Sequence, residues 1–174
     1  MNKAFCSLIV AAFCSASFLH AQTSAGVCPS TKTIDELVVA IDDAVSGPGD
    51  KDRTCMRQLF VPDARLVVLV KNPDGNFVPK TLTVEDWIAR VKQRGGEVFY
   101  ERQIKYTSDV FGHMAHLWST YEVRPTPDGK ATARGINSIQ AVNDGHEWKV
   151  EQILWEAESA AEPVPQQYLP KNHE

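Results

Sequence analysis

Residues 135–156 read GINSIQAVNDGHEWKVEQILWE, two alternating runs on either side of Asn143-Asp144-Gly145. Alternation around an Asn-Asp-Gly signal describes a β-hairpin, because helical apolar positions would instead recur every three or four residues. The second run carries Trp148 and Trp155. On an undistorted strand these two have opposite parity, so only one can point inward. Trp148, with Val150, is expected in the core. Trp155 is left for a second face, an interface or a ligand.

The same texture extends backward. Residues 97–107, 113–124, 131–142 and 147–157 form four strand-like segments separated by Val110-Phe111-Gly112, Pro127-Asp128-Gly129 and the Asn-Asp-Gly turn. Connections this short make neighbouring strands antiparallel. The first half is different. Thr33-Ile34-Asp35-Glu36 is a capping box, and Ile34, Leu37, Val38, Ile41 and Val45 follow at helical spacing until Gly47-Pro48-Gly49. Asp50 or Asp52 can cap a second helix in which Cys55, Met56, Leu59 and Phe60 face inward and which Pro62 stops. Arg65 to Val70 is a β-branched run that Asn72-Pro73-Asp74-Gly75 turns back through Phe77 and Val78. Thr83 caps a third helix, with Val84, Trp87, Ile88 and Val91 on one face and Gly95-Gly96 at its end. Helix, helix, strand pair, helix and four strands predict an α+β fold: one curved antiparallel sheet with three helices on its concave face. From Glu162 the chain turns to Pro163-Val164-Pro165 and a polar end, so residues 159–174 read as a C-terminal tail.

With 174 residues, 43% of them hydrophobic, the chain has the material for one core. Lys3 precedes an apolar run from Ala4 to Leu19 that is short for a bilayer span, and small residues follow, the pattern of a secretory signal peptide over residues 1–21, with cleavage after Ala21 or, alternatively, Ala25. Its removal takes one lysine and no acid, leaving 17 basic against 22 acidic side chains and a charge of −5. Scattered lysines and arginines on an acidic chain offer no concentrated positive face to nucleic acid. No other stretch is long enough for a membrane span. Cys28 and Cys55 are the two cysteines that stay, and in an oxidising compartment, periplasmic or extracellular, they read as a disulfide.

Three motifs carry a resemblance: Leu59-Phe60-Val61-Pro62-Asp63-Ala64, Phe111-Gly112-His113-Met114-Ala115, and Asp144-Gly145-His146-Glu147-Trp148-Lys149-Val150. Over roughly residues 30–158 the chain resembles the nuclear transport factor 2-like superfamily, whose cone-shaped α+β domains include SnoaL-type cyclases, ketosteroid isomerase and scytalone dehydratase. The resemblance implies a sheet wrapped around a deep pocket that the helices cover. It implies no single activity. Matched to ketosteroid isomerase at Asp63-Ala64, the chain has Val68 where that enzyme has its base, and its first helix lacks that enzyme's tyrosine. Both departures speak against ketosteroid-type proton transfer.

Candidates for other chemistry are few. His113 and His116 are three apart on a strand, so they face opposite ways and cannot share a metal ion; neither a metal nor a cofactor is expected. A dehydratase-like or cyclase-like site needs one base and one acid, for which His113, His116, Tyr121 and Glu101 are the candidates. Met114, His116, Trp118, Thr120 and Glu122 share one strand face and His113, Ala115, Leu117, Ser119, Tyr121 and Val123 the other. The second, more apolar set belongs against the helices, unless a bulge turns Trp118 inward. Arg134 and Gln140 join Trp118, Tyr121 and Trp155 as candidate ligand contacts; Arg134 with Glu101 could hold a carboxylate or amide, or form an exposed ion pair on the convex face. These features lead to an exported binder of a small, largely apolar molecule that dimerises through its exposed sheet face. The rival readings are a SnoaL-like hydro-lyase, isomerase or cyclase and a dimeric protein-interaction module.

Overall fold

The structure, a computed structural model, describes residues 27–171. The signal-peptide segment lies outside the described residues. Helix α1 spans Ile34–Val45, with the expected capping box between Thr33 and Glu36. A two-residue strand, β1 (Gly47–Pro48), leads to α2 (Thr54–Leu59). Strands β2 (Phe60–Lys71) and β3 (Phe77–Leu82) form a hairpin, and α3 (Val84–Lys92) follows under a second capping box, Thr83 with Asp86. The meander β4 (Val98–Phe111), β5 (Met114–Arg124), β6 (Ala133–Asn143) and β7 (Trp148–Ala157) completes a seven-stranded sheet in the order β1-β4-β5-β6-β7-β2-β3.

Two details depart from the sequence reading. Strand β2 begins at Phe60, so Phe60 to Ala64 run as strand, and the register slips between Phe60 and Arg65, around Pro62. Proline cannot donate to the ladder and sits where pairing is irregular. The sheet is also mixed. Strand β2 runs parallel to β7, pairing Phe60 with Val150 and Val68 with Trp155. The two strands are neighbours in space but not in sequence, so no hairpin sets their direction.

The sheet curls around the helices. Leu37, Ile41, Met56, Leu117, Ile139 and Val150 are its most deeply buried apolar side chains. Cys28 and Cys55 are bonded, with Cα atoms 5.2 Å apart, which ties the segment before α1 to α2. Arg53 is buried and donates to the carbonyls of Ala44, Ser46 (3.2 Å) and Pro48 (3.2 Å), so it satisfies the C-terminal end of α1 and the turn behind it. Among the described residues no helix is long and apolar enough to cross a membrane.

Two β-bulges decide what the concave face carries. In β4 Gln103 faces Tyr121 and Lys105 faces Thr120, so Ile104 is the extra residue. In β7 Gln152 faces Gln140 and Val150 faces Ala141, so Glu151 is extra. A bulge reverses the parity of everything beyond it. Trp148 and Trp155 therefore share the concave side, contrary to the opposite faces an undistorted strand would give them.

Candidate functional site

A cavity of about 190 Å³ opens on the concave side, lined by Ile41, Val45, Leu66, Trp87, Phe99, Val123, Ile153 and Trp155 among apolar residues and by Arg94, Glu101, Tyr121 and Asn137 among polar ones. Strand alternation supplies most of this wall: Phe99 and Glu101 from β4, Tyr121 and Val123 from β5, Asn137 from β6, Ile153 and Trp155 from β7.

Glu101 is the centre of its polar end. Its backbone is clamped by Ser46, whose hydroxyl accepts from the Glu101 N–H at 2.9 Å and donates to the Glu101 carbonyl at 3.1 Å. Its Oε1 accepts from Gln103 Nε2 at 3.1 Å and from Asn137 Nδ2 at 3.3 Å. The Gln103 amide is itself oriented, its oxygen accepting from Ser119 Oγ at 2.6 Å and Asn137 Nδ2 at 3.2 Å. Oε2 has no hydrogen-bond partner among the described residues. Burial pushes the Glu101 carboxyl up to about 7, and the negative charge of Asp42 adds to the rise while the Asn137 and Gln103 amides resist it. Asp42 on α1 accepts from the Gln103 N–H at 3.0 and 3.1 Å, yet burial still lifts it to about 6. Among the described residues neither carboxylate forms an ion pair. Burial, with the nearby Glu101 charge, likewise raises the Tyr121 phenol.

Tyr121 fits because Gly135 faces it from β6. A Cβ on Gly135 would lie 2.6 Å from the Tyr121 oxygen and 2.2 Å from the Glu156 carbonyl. At the other end of the cavity Arg53 stacks on Trp87 at 5.3 Å and Arg94 on Phe99 at 5.0 Å. The arrangement is an apolar chamber with one carboxyl that exchanges its proton near neutrality, a phenol on the same wall, and an arginine at the lining.

The candidates named from sequence divide between the two faces. Glu101, Tyr121 and Trp155 line the concave cavity. His113 is exposed in the Gly112-His113 turn, where Phe111 pairs with Met114 and Gly112 adopts φ 55°. His116 lies on the convex face, 3.1 Å from Ser138 Oγ. A histidine base for the cone is thereby lost. Trp118 and Gln140 are also on the convex side, exposed. Arg134 does not meet Glu101, because β6 turns it outward, where it pairs with Glu158 at 3.0 Å. Val68, opposite Trp155, presents only an alkyl group. Among the described residues no three His, Cys, Asp or Glu side chains converge as metal ligands.

Asn137, Gln103 and Asp42 did not stand out in the sequence. The available signal was alternation: Gly135, Asn137, Ile139 and Ala141 share one face, and an asparagine among small and apolar inward residues marks a buried polar position.

No family model matches the chain, and no curated protein matches it. Solved structures do. A cystatin-like protein of unknown function from Nostoc punctiforme is 11% identical, with a TM-score of 0.56 over 73% of this chain and 90% of the other. A protein of unknown function from Mycobacterium tuberculosis is 14% identical, with a TM-score of 0.55 over 76% of this chain and 74% of that one. The beta subunit of a putative aromatic-ring-hydroxylating dioxygenase from Novosphingobium aromaticivorans is 17% identical, with a TM-score of 0.53 over 72% and 87%. At such identities the likeness concerns architecture. The chain has the cystatin-like, nuclear transport factor 2-like cone fold.

Proposed function

We propose that the concave cavity binds a small, largely apolar molecule whose one polar group meets Glu101. The observation that carries this is a carboxyl held among amides at the end of an apolar chamber, without an ion-pair partner among the described residues. Unlike Asp42, whose two oxygens hold the Gln103 N–H, Glu101 keeps Oε2 without a partner among the described residues and so has bonding capacity left for a ligand. Near neutrality Glu101 can accept from a hydroxyl or, protonated, donate to a carbonyl. The test is a thermal-shift screen of cyclic alcohols and ketones at mildly acid and mildly alkaline pH. Stabilisation that Glu101→Gln abolishes or redistributes supports the reading. A panel without effect, or one indifferent to Glu101→Gln, overturns it.

A second reading, proton transfer, is favoured by the raised carboxyl and the phenol on one wall. It replaces the histidine-based acid–base site with Glu101 as base and Tyr121 as donor to the developing oxyanion. Deuterium exchange at the α-carbon of a bound ketone, followed by NMR, reads it directly. Exchange should rise through pH 7 and vanish in Glu101→Gln. The disulfide supports an oxidising compartment, periplasmic or extracellular, after cleavage of residues 1–21. Pairing of two copies through the convex face is a separate proposal that light scattering decides.

A further inference from the structure

The convex face carries a second cavity, about 220 Å³ against about 190 Å³ for the cone. Leu69, Ile136 and Leu154 make its floor, Trp118 one side, and Pro163 and Pro165 of the C-terminal tail its cover. The tail is tied down on both sides. Glu158 accepts from Arg134 at 3.0 and 3.1 Å and from the Val164 N–H at 3.1 Å, and Val164 is only 8% exposed. Beyond the prolines, Thr120 Oγ1 donates to the Tyr168 carbonyl at 2.6 Å, Lys105 Nζ donates to the carbonyls of Gln167 and Leu169, and the Tyr168 ring lies 6.0 Å from Trp118. The cover is thus anchored by groups that do not fill the space beneath it.

The polar lining selects the occupant. Glu158 is consumed by Arg134 and Val164, and Ser138 by His116. Glu156 is half-buried and has neither a hydrogen bond nor an ion pair among the described residues, and the Glu162 carboxylate beside it is equally unpaired. Of the three carboxylates that line the cavity, only Glu158 has a guanidinium partner among the described residues. We infer that this cavity is a second binding site, for a small aromatic or alicyclic amine whose ring lies between Trp118, Leu154 and the two prolines and whose ammonium group meets Glu156. The apolar floor rewards a hydrophobic body, the unpaired carboxylate rewards a donor cation, and an anion is repelled. Trp118 adds an aromatic face to the same charge preference. The inference does not rest on the concave site.

The experiment uses the ¹⁵N-labelled protein, whose four tryptophans each carry one indole N–H as a probe. Trp118→Phe identifies one of them. 2-Phenylethylamine, benzyl alcohol and phenylacetate are then titrated at neutral pH. The Trp118 indole should shift saturably with the amine, more weakly with the alcohol and least with the acid. Glu156→Gln should cost the amine about tenfold in affinity, the equivalent of one charge-assisted hydrogen bond, and leave the alcohol unchanged. Glu101→Gln should leave all three titrations as they were. A Trp118 resonance that does not saturate, equal binding of phenylacetate, or loss of the shift in Glu101→Gln would each overturn the inference, the last by moving the binding into the cone.

Discussion

The two faces of one sheet surround their carboxylates differently. On the concave side Glu101 and Asp42 are surrounded by amides, without an ion pair among the described residues, and both are pushed toward neutrality. On the convex side Glu158 and Glu122 lie against arginines, at 3.0 and 2.7 Å. Alternation puts neighbouring residues of the same strands into these two regimes, Arg134 outward and Gly135 inward on β6, Glu122 outward and Tyr121 inward on β5. Charge that is paired holds the surface together. A cavity carboxylate left without an ion pair among the described residues, Glu101 on the concave side and Glu156 on the convex, is available to a ligand; on the concave side it is also pushed toward neutrality.

The largest way to disturb the contrast is to loosen the roof of the concave side. Cys55→Ser, or reduction, should cost about 3–4 kcal/mol in a denaturant titration, the chain-entropy value for a loop of this length. Next comes the wall. Gly135→Ala would press a methyl group into Tyr121 and the Glu156 carbonyl, and should cost about 3 kcal/mol by overpacking. A loss under 1 kcal/mol would mean that Tyr121 moves freely, and the phenol would lose its place in the site.

The carboxyl itself gives an effect of the other sign. A folded-state value raised to about 7 means the native protein binds the Glu101 proton more tightly than the unfolded chain, so the contribution of Glu101 to stability is fully present below the ordinary glutamate range and is lost as pH rises toward 7. Asp42 adds a similar decline that ends near 6. Glu101→Gln should therefore be more stable than the parent above pH 7, by about 2 kcal/mol once partial solvent access is allowed for, and should flatten the upper part of the profile. An unchanged profile would place Glu101 in water and remove the contrast. Smallest of all, Arg134→Met should cost about 0.5–1 kcal/mol, the usual worth of a half-exposed pair, and the difference should shrink in high salt.

The elements were legible because each announced itself locally: a capping box at Thr33, a capping threonine at Thr83, an Asn-Asp-Gly turn, and apolar alternation over four strands. The faces were legible where one strand was enough, as on β5, where the apolar set Ala115, Leu117 and Tyr121 lies inward. They were not legible across strands. Glu101 was a candidate, but with Arg134 as partner, because which residue of β6 shares its face depends on hairpin registers that composition does not encode. Trp155 needed the bulge at Glu151, and nothing in Val150-Glu151-Gln152 signals one. His113 was assigned to a strand one residue too early, since the turn took Gly112 for its positive φ and His113 with it.

The parallel seam between β2 and β7 has a kinetic consequence. Phe60 must find Val150, and Val68 must find Trp155, across most of the domain's length. The meander can form from neighbouring segments, whereas this seam closes a loop whose entropy is lost before its contacts are gained. Closure of the sheet is therefore expected late in folding. Until then Glu101 stands in water with an ordinary acidity, so the proton it takes up would mark, in a stopped-flow trace with a pH dye, the moment at which the chamber comes into being.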